Sequence, residues 1–221
     1  MVVAGVKIGV LGGIGPESTC VFYSKLIQEL QKHKLVKSNI DFPTIIINSI
    51  PAPELIHDKH LKEEINIYLQ GLKELEKHKP KFIVMICNTI HFYFDYLLSE
   101  INTPIIDLRE ELKKIVKSLH RYVVFGTPLT IKKMYNFNEK NQMIPNNKDI
   151  KIIKECIFNY NKGYKRSKQK KIIHDLCEKY HKKGAEKIIL GCTELTLMVK
   201  KPYTIDTIDV LVKAVVEKCQ S

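Results

Sequence analysis

Hydrophobic positions along the chain follow two rhythms. Short, nearly continuous apolar runs fall at residues 6–11, 42–48, 82–86, 105–106, 122–125 and 187–190. Their length and their bounding glycines, prolines and charges predict buried strands. Residues 82–86 are wholly apolar, which predicts cover on both faces of the sheet. Between these runs the spacing changes to that of a helix. Residues 61–77 repeat through Ile65, Leu69, Leu72 and Leu75 until Pro80 stops them, and 108–119 and 172–180 behave alike. After the first strand comes Gly12-Gly13-Ile14-Gly15-Pro16-Glu17-Ser18. Its glycines permit a tight turn, Pro16 suits a first helical position, and Glu17 complements a positive helix end. A helix to about residue 35 should follow, with Cys20, Leu26, Ile27 and Leu30 inward. Residues 136–149 are polar and asparagine-rich, which predicts a surface excursion with at most a short strand near Met143-Ile144. Strands alternating with helices predict an α/β protein with parallel sheets.

One pattern occurs twice. A helix end, a lysine-bearing turn, an apolar strand, then cysteine and threonine run from Lys77 to Thr89 and again from Lys182 to Thr193. Cys87 and Cys192 stand roughly half of the 221-residue chain apart. The spacing predicts two pseudo-symmetric domains, each a parallel-sheet α/β unit, with the active site in the cleft between them. Each cysteine then follows the carboxyl end of a strand, where open α/β sheets bind ligands. The first domain is expected to hold residues 1–103 plus 206–221, and the second residues 104–205.

Composition narrows the function classes. The formal charge of +12 raises the question of nucleic acid, but the lysines are scattered and no reading motif accompanies them. The basic run from Lys165 to Lys171 lacks interleaved aromatics and predicts an exposed helix start. A positive field also attracts small acidic substrates. No apolar stretch approaches the ~20 residues of a membrane span, and the opening residues lack a basic leader and a small-residue cleavage site. The six cysteines form no C-x-x-C pair, which suits a reducing cytoplasm.

Cys87 and Cys192 carry the chemistry. Inverting a Cα centre needs one group to remove a proton and another, on the opposite face, to deliver one. Thiols suit this because their ordinary pKa of ~8.5 can be tuned by neighbouring donors. Asn88, Thr89 and Thr193 supply such donors, and two sulfurs in one closed site share a single proton. Cys20, Cys156, Cys177 and Cys219, each inside a predicted helix, read instead as packed core residues.

At these residues the sequence resembles the aspartate/glutamate racemase superfamily. Three segments carry the likeness: Gly12 to Thr19, Cys87-Asn88-Thr89-Ile90-His91, and Gly191-Cys192-Thr193-Glu194. Gly126-Thr127-Pro128-Leu129-Thr130, Lys162-Gly163 and Ile205-Asp206 agree more weakly. The resemblance implies catalysis by Cys87 and Cys192 without pyridoxal phosphate, metal or other cofactor. It implies a small acidic amino acid held by Gly13, Asn88, Thr89, Thr127, Thr130, Lys162, Thr193 and Glu194, and a homodimer with neither nucleic-acid nor membrane partners. One departure stands out: residues 48–55 read Asn-Ser-Ile-Pro-Ala-Pro-Glu-Leu, without the arginine that aspartate racemases often carry there. Leucine does not replace a bidentate guanidinium, so aspartate, glutamate and a broader range of side chains all stay open.

Rival readings rest on less. Gly12 to Gly15 lacks the third glycine and acidic residue of a dinucleotide fingerprint. Cys87, His91 and Cys192 form an incomplete zinc set. A hydrolytic cysteine needs one activated thiol and a base, not two equivalent thiols. A decarboxylase or cis–trans isomerase on the same scaffold, and a non-catalytic amino-acid binder, are the nearer alternatives.

Overall fold

A computed structural model describes residues 3–55, 62–135, 137 and 140–220. Expectations that touch Met1, Val2, Leu61, Asn136, Asn138 and Glu139 lie outside the described residues. Strand β1 (Lys7–Gly12) lies between β2 (Thr44–Ser49) and β3 (Phe82–Met85), all parallel, and Ile105 bridges to Ile83 on the far side of β3. In the second half, β4 (Tyr122–Gly126) lies between β5 (Gln142–Met143) and β6 (Lys187–Gly191), with β7 (Thr204–Asp206) beyond β6, again all parallel. The order β2-β1-β3-Ile105 is repeated as β5-β4-β6-β7. The protein is α/β, built from two like parallel-sheet units.

Strand periodicity of two divides the core into three layers. Leu11, Ile83 and Met85 face α2 (Lys62–Glu76) and α3 (Phe94–Ser99). Val123, Phe125, Ile188 and Leu190 face α5 (Asn147–Asn161), α6 (Arg166–Lys182) and α7 (Thr193–Met198). The opposite faces share one cluster: Ile8, Val10 and Val84 from one sheet and Tyr122, Val124 and Ile189 from the other. These pack with α1 (Pro16–Lys32), α4 (Leu108–Val116) and α8 (Thr207–Gln220). Full burial of one aliphatic or aromatic side chain contributes about 1.5–3 kcal/mol, so this shared layer is a strong tie between the halves. Lys25 on α1 adds ion pairs to Asp206 (2.5 Å) and Asp209 (2.7 Å).

Three expectations need correction. Cys20 is exposed; the buried face of α1 runs through Ser18, Phe22, Leu26 and Leu30, an unbroken four-residue stagger that turns Cys20 to solvent. Ile27 is only half-buried for the same reason. The polar excursion ends early, because α5 starts at Asn147, where the Asn146 side chain caps the N–H of Asp149 at 2.8 Å. Its inward residues Ile150, Ile153, Ile157 and Tyr160 are helically spaced but separated by lysines and asparagines.

Candidate active site

The carboxyl ends of both sheets open onto one cavity of about 190 Å³. In each sheet the strand order reverses beside the first strand, between β1 and β3 and between β4 and β6, which is where doubly wound sheets place ligands. The β1–α1 turn contributes Gly13 to Pro16, and the segment after β2 contributes Ala52 to Leu55. Cys87 and Thr89 follow β3, Thr127 follows β4, and Cys192 and Glu194 follow β6. The last turns of α5 add Ile157 and Asn161.

The glycine turn is shaped by close contacts. Gly13 has φ +84°, and a Cβ there would overlap the Ile50 carbonyl; at Gly15, φ +75°, a Cβ would overlap Glu194 Oε1. Only glycine therefore lets the start of α1 lie against the second half of the chain. Thr19 Oγ1 accepts the Gly13 N–H at 3.0 Å and holds the turn.

Both thiols are buried and line the cavity. Burial pushes Cys87 up to about 12; the backbone N–H groups of Ile90 and Thr89 pull downward, and the charge of Glu194 adds to the rise. Cys192 is also raised, first by burial and then by Glu194, whose Oε2 accepts the Cys192 thiol at 2.8 Å. Glu194 is itself raised by burial, with hydrogen bonds from Cys192, its own backbone, Asn161 and Thr193 opposing. Burial thus favours protonated sulfur at both cysteines.

Polar residues behind the cavity tie the halves together. The hydroxyls of Thr89, Thr127 and Thr130 form a triangle with sides of 3.1, 3.1 and 3.0 Å. Asn88 donates to Thr207 Oγ1 at 2.9 Å and accepts from the Tyr135 hydroxyl at 2.8 Å, while Thr207 donates to the Leu190 carbonyl at 2.9 Å. His91 is buried with Nδ1 2.8 Å from the Cys87 carbonyl. A carbonyl only accepts, so Nδ1 carries the proton and the neutral ring braces the turn that presents Cys87. Burial accordingly holds its pKa below the ordinary histidine value.

Of the residues expected to bind substrate, Gly13, Thr89, Thr127 and Glu194 line the cavity together with both cysteines. Asn88, Thr130 and Thr193 stand behind the wall: Asn88 is engaged by Thr207 and Tyr135, Thr130 by the other threonines, and Thr193 lies 3.4 Å from Glu194. Lys162 is exposed, with its ammonium 3.9 Å over the Phe158 ring, and does not line the cavity. Its neighbour Asn161 does, one helical step of 100° away. Asn161, Glu54 and the Tyr135–Asn88 contact were not singled out from sequence; the only signal was adjacency to Lys162 and to the residue 48–55 loop.

No lysine, arginine or histidine occurs among the described residues lining the cavity, whereas Glu54 and Glu194 do. An acidic substrate side chain therefore finds no counter-charge among those residues.

Fold and cavity together define a two-sheet α/β protein with paired strand-end thiols at facing switch points. The sequence pattern of the Asp/Glu/Hydantoin racemase family matches residues 11–215, and the chain belongs to that family. It is 35% identical over 130 residues to the broad specificity amino-acid racemase RacX of Bacillus subtilis (strain 168); the match covers 56% of each, so the chain spans about half the length of that curated relative. Among solved structures, an aspartate racemase homologue from Pyrococcus horikoshii OT3 superposes with a TM-score of 0.73 at 27% identity, covering 97% of this chain and 99% of the other. The aspartate racemase of Picrophilus torridus, at 21% identity and a TM-score of 0.76 over 98% and 95% of the two chains, shares the fold. No described helix is long and apolar enough to cross a membrane.

Proposed function

We propose that the protein racemises a free α-amino acid by a two-thiol mechanism, without a bound cofactor. In one direction the thiolate of one cysteine takes the Cα proton and becomes a thiol. The carbanion is reprotonated on its opposite face by the other cysteine, which becomes the thiolate. The two sulfurs have then exchanged protonation states, and the reverse direction uses them in the opposite roles. The observation that carries this reading is that Cys87 and Cys192, each placed after a strand of its own sheet, line the same small cavity.

Electrostatics describe the resting state. Burial holds both sulfurs as thiols; Glu194 also accepts from Cys192, while backbone N–H groups of Ile90 and Thr89 at Cys87 and of Glu194 at Cys192 oppose the rise. A bound substrate ammonium lowers both thiol pKa values, because a nearby cation favours the charged form of sulfur. Thr89 and Thr127 can turn hydroxyl protons toward the substrate carboxylate, and the N–H groups at the start of α1 offer further donors. The acidic amino acid suggested by the family resemblance is one candidate substrate; the described cavity lining supports recognition of the amino-acid backbone and gives a carboxylate side chain no partner.

The test is Cα deuteration in heavy water with single enantiomers of several amino acids. Wild type is expected to exchange and racemise, and Cys87→Ser and Cys192→Ser each to lose racemisation by at least 10³-fold, on the scale of losing one essential acid/base group. Racemisation surviving either substitution would falsify the two-thiol mechanism. Binding without exchange in wild type would instead favour an amino-acid sensor.

A further inference from the structure

Behind the cavity, one side chain is bonded to the frame of both thiols. Thr207 opens α8 and is fully buried. Its hydroxyl donates to the Leu190 carbonyl at 2.9 Å, two residues before Cys192. The same oxygen accepts from Asn88 Nδ2 at 2.9 Å, and Asn88 directly follows Cys87. Asn88 Oδ1 in turn accepts from the Tyr135 hydroxyl at 2.8 Å. All three protons point the same way along the series Tyr135, Asn88, Thr207, Leu190, an arrangement in which each hydrogen bond polarises the next. Asn88, Tyr135 and Thr207 are at most 1% exposed, so a lost partner is not replaced by bulk water. Thr207 is itself fixed from outside. The preceding residue, Asp206, accepts the Ile208 N–H at 2.8 Å and the Lys25 ammonium at 2.5 Å, and α8 packs against both α1 and α4.

Resting on the two-thiol reading, we propose that Thr207 is a positioning residue that fixes the separation of the two sulfurs and thereby decides whether the carbanion inverts or returns. The thiolate of the first cysteine takes the Cα proton; the electron pair of the broken bond stays on carbon, and that sulfur becomes a thiol. Two outcomes then compete. The opposite thiol gives its proton to the far face and completes inversion, or the first thiol gives a proton back to the near face and restores the starting enantiomer. Such transfers need the reacting atoms about 3–3.5 Å apart, and an error of about 1 Å costs on the order of 10²-fold. Cys87 and Cys192 follow strands of different sheets, so neither strand by itself sets this spacing. The threonine triangle also joins the halves, but it ties Thr89 to the segment after β4 and not to the strand that carries Cys192. Thr207 makes one hydrogen bond toward each cysteine. Without it the two strand ends shift independently, the far-face step slows although both thiols remain, and return gains on inversion.

The experiment measures initial rates in heavy water with L-aspartate, L-glutamate, L-methionine and L-lysine, and compares variants on the one that the wild-type full chain racemises fastest. Deuterium in the product enantiomer reports inversion. Deuterium in the recovered starting enantiomer reports return, after the first thiol has exchanged with solvent. Thr207→Val keeps the side-chain shape and removes both hydrogen bonds. It is expected to slow inversion by about 10- to 100-fold and to raise the ratio of return to inversion about tenfold. Thr207→Ser keeps the hydroxyl and is expected to restore the wild-type ratio. Tyr135→Phe removes the far end of the same series and is expected to move the ratio in the direction of Thr207→Val. Using the ratio within each variant removes any general loss of activity. A ratio unmoved in Thr207→Val, or in Tyr135→Phe where Thr207→Val does not fold, overturns the proposal while the racemase reading stands. So does a Thr207→Ser ratio equal to a raised ratio in Thr207→Val. Absence of racemisation with every amino acid in wild type overturns both.

Discussion

Glu194→Gln isolates the charge that adds to burial in keeping Cys192 protonated. The substitution keeps the shape of the side chain and leaves an amide oxygen to accept from Cys192, so the change is chiefly loss of negative charge 2.8 Å from Sγ. A unit charge about 4 Å from a thiolate disfavours it by roughly 4 kcal/mol at an effective dielectric of 20. Delocalisation over two oxygens and the upward-shifted pKa of Glu194 itself reduce this, and the pKa of Cys192 should fall. The assay is the pH profile of kcat/KM for each enantiomer. The limb governed by ionisation of Cys192 should move to lower pH. The limb governed by Cys87 should move less, because the hydrogen bond from sulfur to Glu194 is made by Cys192. Unshifted profiles in both directions, or a move to higher pH, would refute the assignment of Glu194 as the group that keeps Cys192 protonated. Stability gives an independent reading. A carboxyl whose folded pKa is raised above its ordinary 4.5 binds its proton more tightly in the native state. The resulting penalty is absent well below pH 4.5 and grows as pH rises toward the folded value. The stability difference between Glu194→Gln and wild type should therefore shift in favour of the variant from pH 4 to pH 7.

Two further outcomes are expected. Gly15→Ala forces a Cβ onto Glu194 Oε1 at a positive φ and should cost about 1–3 kcal/mol in urea unfolding, with loss of activity as Glu194 is displaced; an unchanged midpoint and rate would show that the turn relaxes freely. Asp149→Asn removes a buried carboxylate bonded to Lys179 (2.6 Å) and Tyr180 (2.8 Å), partners that outweigh its burial and hold its pKa below 3.8. It should cost about 1–3 kcal/mol at neutral pH, and that difference should vanish as pH falls through and below 3.8, the range in which the wild-type carboxylate takes up its proton.

Much of the architecture is local in origin and could be read from the chain. Buried strands such as β3 and β6 are continuous apolar runs because both faces are covered, and the cysteine after each is visible as a repeat. The failures lie where local pattern is weak. Three residues of β7 are half-buried and too short to show a period, and the inward face of α5 is diluted by asparagine and lysine.

The sequence by itself determined the alternation of strands and helices, the twofold repeat, and the pair of thiols at strand ends, since each depends on periodicity and spacing within a few residues. Only the tertiary structure decided which polar groups meet the cavity. Asn161 and Lys162 are adjacent, yet the turn of α5 sends one inward and the other over Phe158 in solvent. Asn88 follows Cys87 directly, yet contacts with Thr207 and Tyr135, both distant in the chain, hold it behind the wall. Glu54 reaches the rim because Tyr68 and Leu55 fix the loop from α2 and its neighbouring core. Side-chain direction in a loop or a last helical turn is set by long-range packing, which a one-dimensional pattern does not encode.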